Sequence, residues 1–477
     1  MKNKEIIIQV AYWMFWLIIV GICTFFIIFN AHWLIGDDAI VIRHTGMGKV
    51  FAPNDPLTFN KAGGRFFPFS YLAYDILLLF CHGYISPTTH YVLHAVFFVI
   101  FAVSITILSL NLLDGQRAGW KYSLSLLFVI VSIGRVFPLY IECFSTSWCA
   151  YTIVALFLLS LYVFYKEQKW LYGILALLLI NYLCYCGESI FVLPLSMGTC
   201  ALLFQRNSIT SKDKVFCWIL IGSALLFLVL YAILVLPYIQ TAYDGAHGQP
   251  VGYVENALRM FWAQKILVAA FVLFVIRVVD MIKNKKQYTF FDNLLLTAAA
   301  CCCGNFILRL NWTMYYNVPA LLSLPAILYF SLYYIKERWT VVFFVLLALF
   351  YGRKIPTVVL NNQQYRKYTF ASVTRLSEEL DSVNEVYWYA PKTEEYSYEL
   401  ELRDWKYNAL NSYLRWLRQD PDFTIPLATE FHLGQNAIWL TPSVNELLFP
   451  DDKQLQENGT VFFSAGSIMG YRIMNGE

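Results

Sequence analysis

The chain has 477 residues, of which 58% are hydrophobic and only 14% charged. Soluble domains carry roughly 25% charged residues, and a mean hydropathy of +0.53 is more apolar surface than one core hides, so the composition implies an integral membrane protein. Its 35 basic and 32 acidic side chains nearly balance, which gives no basis for a nucleic-acid partner, and continuous rather than alternating apolar runs exclude a transmembrane β-barrel.

In chain order, the first apolar run follows Met1-Lys2-Asn3-Lys4-Glu5 and continues to about Asn30. It is too long for a signal peptide and has no small-residue cleavage site, so it reads as an uncleaved first span. Hydropathy and flanking charges predict eleven spans, near residues 8–30, 88–112, 119–134, 146–165, 170–185, 189–205, 214–236, 264–281, 292–309, 318–335 and 339–351. The apolar segment Phe67 to Phe80 carries Pro68, Ser70 and Asp75, and counting it as a crossing would invert every later loop, so it reads as a helix lying at the outer surface. With eleven spans, one set of loops holds 15 Lys/Arg and the opposite set, before residue 351, holds eight. The positive-inside rule then predicts a cytoplasmic N-terminus and an extracytoplasmic C-terminus.

The fold class predicted is an all-α polytopic membrane protein with a small C-terminal α+β extracytoplasmic domain. The transmembrane region takes residues 1–351, with a long outer loop at 31–89, and the domain takes 352–477. Within the domain, Gln363 to Val383 and Tyr407 to Arg418 read as helices, whereas Glu385 to Ala390, Phe423 to Ala428 and Thr460 to Met474 contain strand-like runs. The stretch from Tyr351 has 12 basic and 17 acidic residues and no cysteine, so this domain needs no disulfide. There is no internal repeat, Walker motif or Rossmann glycine fingerprint, which argues against an ATP-driven transporter.

Chemistry-bearing residues gather at the outer ends of the predicted spans. Gly36-Asp37-Asp38-Ala39-Ile40 follows the first span; paired carboxylates there can share a metal, or one can act as base while the other tunes it. Next come Gly63-Gly64-Arg65-Phe66-Phe67-Pro68, then His90 and His94, then Phe137-Pro138 and Glu142, then Gly187-Glu188 with Leu193-Pro194. Ionisable residues at membrane depth suggest a function by default. Arg309 ends the ninth span ahead of Asn311, Trp312, Tyr315, Tyr316 and Pro319. His90 and His94 have the i, i+4 spacing of zinc ligands but lack the acid of His-Glu-x-x-His, and read as packing or surface histidines. The Cys301-Cys302-Cys303 run reads as packing, and Cys184 and Cys186 are weak thiol candidates. Asn311-Trp312-Thr313 and Asn458-Gly459-Thr460 match the N-glycosylation pattern, which recurs by chance.

This succession, over residues 1–205, resembles the GT-C superfamily of polytopic glycosyltransferases, and in particular the membrane half of the tetratricopeptide-repeat O-mannosyltransferases and their bacterial relatives. It departs from them in having Phe137 where they show His and Gly187 where they show Lys, in a looser Arg65 to Pro68 spacing, and in a tail without tetratricopeptide repeats. The resemblance implies a polyprenyl-phosphate-linked sugar donor, a glycan or protein acceptor, and a lipid-facing groove. Asp37 or Asp38 would be the catalytic base, and the resemblance favours Asp37. Arg309, in a stretch with Tyr316 that is similar to the relatives' Arg…Tyr…Pro segment, would grip the carrier phosphate or else anchor at the membrane interface. Glu142 and Glu188 read as substrate contacts, Glu188 otherwise as a structural hydrogen bond, and Arg65 and Arg135 either cap the same pocket or meet lipid headgroups. No metal or other cofactor is expected; a divalent cation would be wanted only with a pyrophosphate donor, as in a polysaccharide polymerase or ligase. The rival reading, a lipid or solute transporter, requires ionisable residues mid-span beside broken helices. A bacterial inner membrane is the expected location.

Overall fold

The structure is a computed structural model; it describes residues 2–29, 31–35, 59–60, 65–70, 72–81, 85–141, 147–187, 190–205, 209–239, 254, 258, 265–309, 320–353, 355–389, 398–431, 436–442, 457–465 and 468–473. Fourteen helices are followed through these residues: α1 (Lys2–Ile28), α2 (Leu72–Phe80), α3 (Pro87–Leu112), α4 (Ala118–Ile141), α5 (Ser147–Glu167), α6 (Trp170–Cys184), α7 (Val192–Phe204), α8 (Ser211–Leu234), α9 (Lys265–Asn284), α10 (Phe290–Arg309), α11 (Ser323–Tyr334), α12 (Glu337–Gly352), α13 (Ile355–Leu380) and α14 (Tyr398–Arg418). Each of the eleven predicted spans coincides with one helix, from α1 to α12 with α2 set apart. Among the described residues, six stretches are helical, long and apolar enough to cross a membrane, and four shorter apolar helices accompany them. The protein is an integral membrane protein.

The chain divides into two compact units. The first takes residues 1–27, 52–73 and 93–358; the second takes 28–51, 74–92 and 359–477. The second unit therefore includes part of the first predicted outer loop together with the C-terminal region.

In the first unit α4 is the inner helix. The most apolar stretch of α4 is 78% buried, against 22% for those of α1 and α8, so α4 faces protein while α1 and α8 show their sides to lipid. Hydroxyl and indole groups join helices where their apolar surfaces offer no preference for one another over lipid. Tyr12 Oη meets Ser125 Oγ at 2.9 Å, Trp16 Nε1 donates to Thr106 Oγ1 at 2.7 Å, and Ser109 Oγ meets Ser125 Oγ at 2.6 Å. Small residues allow close approach: a Cβ on Gly198 of α7 would lie 2.7 Å from the Cys217 carbonyl oxygen of α8. Because that neighbour is backbone, Gly198→Ala should lower stability by about 1–3 kcal/mol; thermal unfolding in detergent measures it, and an unchanged midpoint would show that the two helices slide apart freely.

Helix ends sort into two groups. At one, Asp114 binds Lys121 and Lys166 at 3.3 and 3.2 Å, and these cations hold its carboxyl below the usual carboxylate range. There also α8 starts with a capping box, Thr210 and Asp213 satisfying each other's backbone N–H, and Gln168 bonds both residues. These ends belong to the loops predicted to be cytoplasmic. At the other, Phe66 packs with Cys184, Phe227 and Val235.

Two elements differ from expectation. The third span was placed at 119–134, but α4 runs on to Ile141 and contains Arg135 and Pro138. Glycine, arginine and proline read locally as an end; packing overrides them, since Gly134 lets α12 approach, a Cβ there falling 3.0 Å from Tyr351 Cβ. The last turn is satisfied from outside, by a 3.1 Å contact between His94 Nδ1 and the Tyr140 carbonyl. The surface helix expected over Phe67 to Phe80 is divided into a turn and α2. Pro68 takes the second position of the turn, closed by Ser70 N–H to the Phe67 carbonyl at 3.1 Å, and a short antiparallel pair, β1 (Phe59–Asn60) with β2 (Arg65–Phe66), precedes it.

The second unit contains a mixed five-stranded sheet of β3 (Glu385–Tyr389), β4 (Leu427–Ala428), β5 (Ala437–Pro442), β6 (Thr460–Ala465) and β7 (Ile468–Ile473), in the order β4-β3-β5-β7-β6. β3 runs parallel to β4 and β5, whereas β7 is antiparallel to β5 and β6. Tyr389, Ala437, Trp439, Tyr471 and Ile473 form one core face, while Trp388, in the next register position, meets Tyr407 of α14 at 5.6 Å. The run Thr460 to Met474 resolves into the β6–β7 hairpin.

Candidate functional site

The second unit fixes the segment just before the acidic pair. His32 to Ile35 leads out of α1, and Trp33, wholly buried, lies 5.0 Å from the His90 ring and 6.1 Å from that of Trp416. His90 in turn stacks on Tyr74 at 5.3 Å. His32 stacks on Phe370 at 4.3 Å, and burial, aided by the Arg366 charge, lowers its pKa and favours the neutral ring. The Arg366 guanidinium itself sits over Tyr91 at 3.7 Å. Thus α2, α3, α13 and α14 each supply a ring or a cation to hold the chain entering Gly36-Asp37-Asp38. Asp37 and Asp38 themselves lie outside the described residues, as do Glu142, Glu188 and Tyr316.

In the first unit the turn after β2 docks on the end of α6. Phe69 N–H bonds the Tyr185 carbonyl at 3.0 Å, Ser70 Oγ donates to the Cys186 carbonyl at 2.7 Å, and Tyr182 Oη donates to the Phe69 carbonyl at 3.2 Å. The structure therefore joins the chain that follows Arg65 to the chain that leads into Glu188, two stretches far apart in sequence. Of Arg65 and Arg309 only the backbone is described, at β2 and at the last residue of α10.

Arg135 is the expected substrate contact whose side chain is described in full. It is 1% exposed, so it does not meet lipid headgroups. Tyr151 of α5 lies within loose hydrogen-bonding reach of it, with Tyr351 of α12 and Cys302 of α10 close by, although none of its three nitrogens attains standard hydrogen-bond geometry among the described residues. Tyr351 Oη accepts the Ile266 N–H of α9 at 3.0 Å, and Cys149 Sγ meets Tyr182 Oη at 3.7 Å. α5, α10 and α12 thus meet α4 around a buried cation, a place that favours an anion. Sequence reasoning named Arg135 but missed Tyr151 and Tyr351, for which no motif gave a signal. The histidines are packing residues: His94 stacks on Trp148 at 4.4 Å, and both rings are buried. Cys301 and Cys302 are buried as well.

No family model and no curated protein sequence matches the chain. Among solved structures, the crystal structure of ArnT from Cupriavidus metallidurans in the apo state matches with a TM-score of 0.53 at 10% identity, over 98% of this chain and 100% of that one. At that identity the likeness shows the fold. The chain therefore shares the polytopic membrane fold of that structure, and carries a small C-terminal sheet region.

Proposed function

We propose that this protein is a membrane glycosyltransferase of the GT-C type, moving a sugar from a polyprenyl-phosphate donor to a hydroxyl of a glycan or protein at the outer face of a bacterial inner membrane. The observation that carries this reading is the fold likeness along the whole chain, which agrees with a resemblance drawn from the first 205 residues alone. In the proposed step Asp37 takes the proton of the acceptor hydroxyl, the acceptor oxygen bonds the sugar's anomeric carbon, and the carbon–oxygen bond to the carrier phosphate breaks. Polyprenyl phosphate leaves with the electron pair, facing Arg309. Asp38 supports the base, and Glu188, Glu142, Arg65, Arg135 and Tyr316 hold the substrates. Membrane lipids form the remaining wall of the groove. The first 351 residues form the proposed catalytic membrane region, and residues 352–477 the extracytoplasmic domain.

The direct test is release of free polyprenyl phosphate from a panel of polyprenyl-phosphate sugars by the full chain in nanodiscs, followed by mass spectrometry. Discharge of one donor with an acceptor present is the expected result, and no discharge across the panel sinks the reading. Topology is tested separately. A C-terminal reporter active only outside the cytoplasm should be active, whereas a working cytoplasm-only reporter would place the tail, and the domain it carries, on the wrong side for this proposal.

A further inference from the structure

At the helix ends grouped with the cytoplasmic loops, a 370 Å³ pocket opens between the end of α9, the α9–α10 connection and α11, lined by Arg277, Lys285, Lys286, Gln287, Thr289, Tyr329, Phe330 and Tyr333. Arg277 is 4% exposed and is already engaged. Its Nε donates to Asp292 Oδ1 at 2.8 Å, its Nη1 to Asp280 Oδ2 at 3.3 Å, and its Nη2 to the Gln287 carbonyl at 2.7 Å. The carboxylates are equally committed: Asp292 accepts from Thr289 N–H and Oγ1, both at 2.7 Å, and Asp280 accepts from Tyr334 Oη at 2.8 Å and Asn284 Nδ2 at 2.6 Å. This network neutralises Arg277 and fixes the connection through the Gln287 carbonyl.

Lys285 and Lys286 are left over. Both are exposed; Lys286 lies within electrostatic range of Asp280, but neither lysine joins an ion pair among the described residues. Lys285 has φ +50° at the position that ends α9, a left-handed site that usually takes glycine or asparagine. Beside the lysines, Tyr333 is 50% and Ile282 75% exposed, so the polar pocket borders apolar surface of the kind that meets acyl chains.

We propose that this pocket binds the headgroup of an anionic phospholipid, with Lys285 and Lys286 on the phosphate, Gln287 and Thr289 offering polar contacts to the headgroup, and the Tyr329 and Tyr333 rings against the first acyl carbons. The juxtaposition of two exposed lysines with exposed aromatic rings selects a lipid over a soluble phosphate. The site stands at the helix ends opposite Arg309 and does not depend on the transfer reaction.

Native mass spectrometry of the full chain in detergent tests it, with phosphatidylglycerol and phosphatidylcholine of identical chains as probes. The wild type should retain phosphatidylglycerol in preference, and Lys285→Gln with Lys286→Gln should weaken that retention roughly thirtyfold, about fivefold per lysine, with unfolding in lipid-free detergent unchanged. Lys212→Gln with Lys214→Gln, at the start of α8 among the same group of helix ends, should leave it intact. Equal retention of the two lipids, no loss in the first variant, an equal loss in the second, or displacement by millimolar inorganic phosphate would each overturn the proposal.

Discussion

Asp37→Asn should lower sugar transfer by roughly 10²–10⁴-fold, the range for removal of a general base, with the protein still inserted and donor binding nearly intact. Asparagine keeps the size and polarity of the side chain and removes only its capacity to take a proton. Trp33 and His32 are packed against His90, Trp416 and Phe370, which hold the preceding segment, so the substitution should not loosen it. Asp38→Asn and Glu188→Gln should show weaker, binding-type defects, visible more in KM than in kcat. The measurement is single-turnover transfer alongside equilibrium binding of polyprenyl phosphate. Wild-type turnover in Asp37→Asn would move the assignment to Asp38.

Arg309→Ala should reduce turnover by about 10²–10³-fold, as expected for losing a donor to charge that develops in the transition state, and should weaken polyprenyl-phosphate binding as well. Arg309 is the last residue of α10, a helix of 20 residues and therefore about 30 Å long. Its other end adjoins Lys285 and Lys286, so Arg309 stands a full helix length from them. Arg309→Lys keeps the charge but loses the planar fork and should fall between Ala and wild type. If binding and transfer are both unchanged in Arg309→Ala, the residue is a membrane anchor, and Arg65 or the buried Arg135 becomes the better candidate for the phosphate.

The helices were legible because a bilayer imposes one dominant signal, a run of apolar residues of fixed length. What escaped was set by neighbours distant in sequence. The continuation of α4 through Arg135 and Pro138 depends on Gly134 fitting against Tyr351, a contact no local window contains. β5 was missed because a central strand covered on both faces reads as an unbroken run, Ala437-Ile438-Trp439-Leu440, with no alternation to mark it. Arg277 was counted as one of many cytoplasmic charges, yet its partner Asp292 lies fifteen residues on, across a loop. For the site, residue order pointed to Arg135, but not to the meeting of the stretches after Arg65 and before Glu188, which depends on the Phe69 and Ser70 bonds to the Tyr185 and Cys186 carbonyls. The rings that box Trp33 carried no signal, since aromatic residues are abundant along the whole chain.

That box also bears on how the protein can be cut. Trp416 and Phe370, which receive Trp33 and His32, belong to the C-terminal region, and Asp37 follows His32 by only five positions. A truncation that removed residues 359–477 to obtain a minimal catalytic core would strip away half the cage around the approach to the acidic pair. The tail is better regarded as a buttress for that approach than as a detachable accessory, and a useful minimal version would have to keep α13 and α14 even if it dispensed with the sheet's outer hairpin.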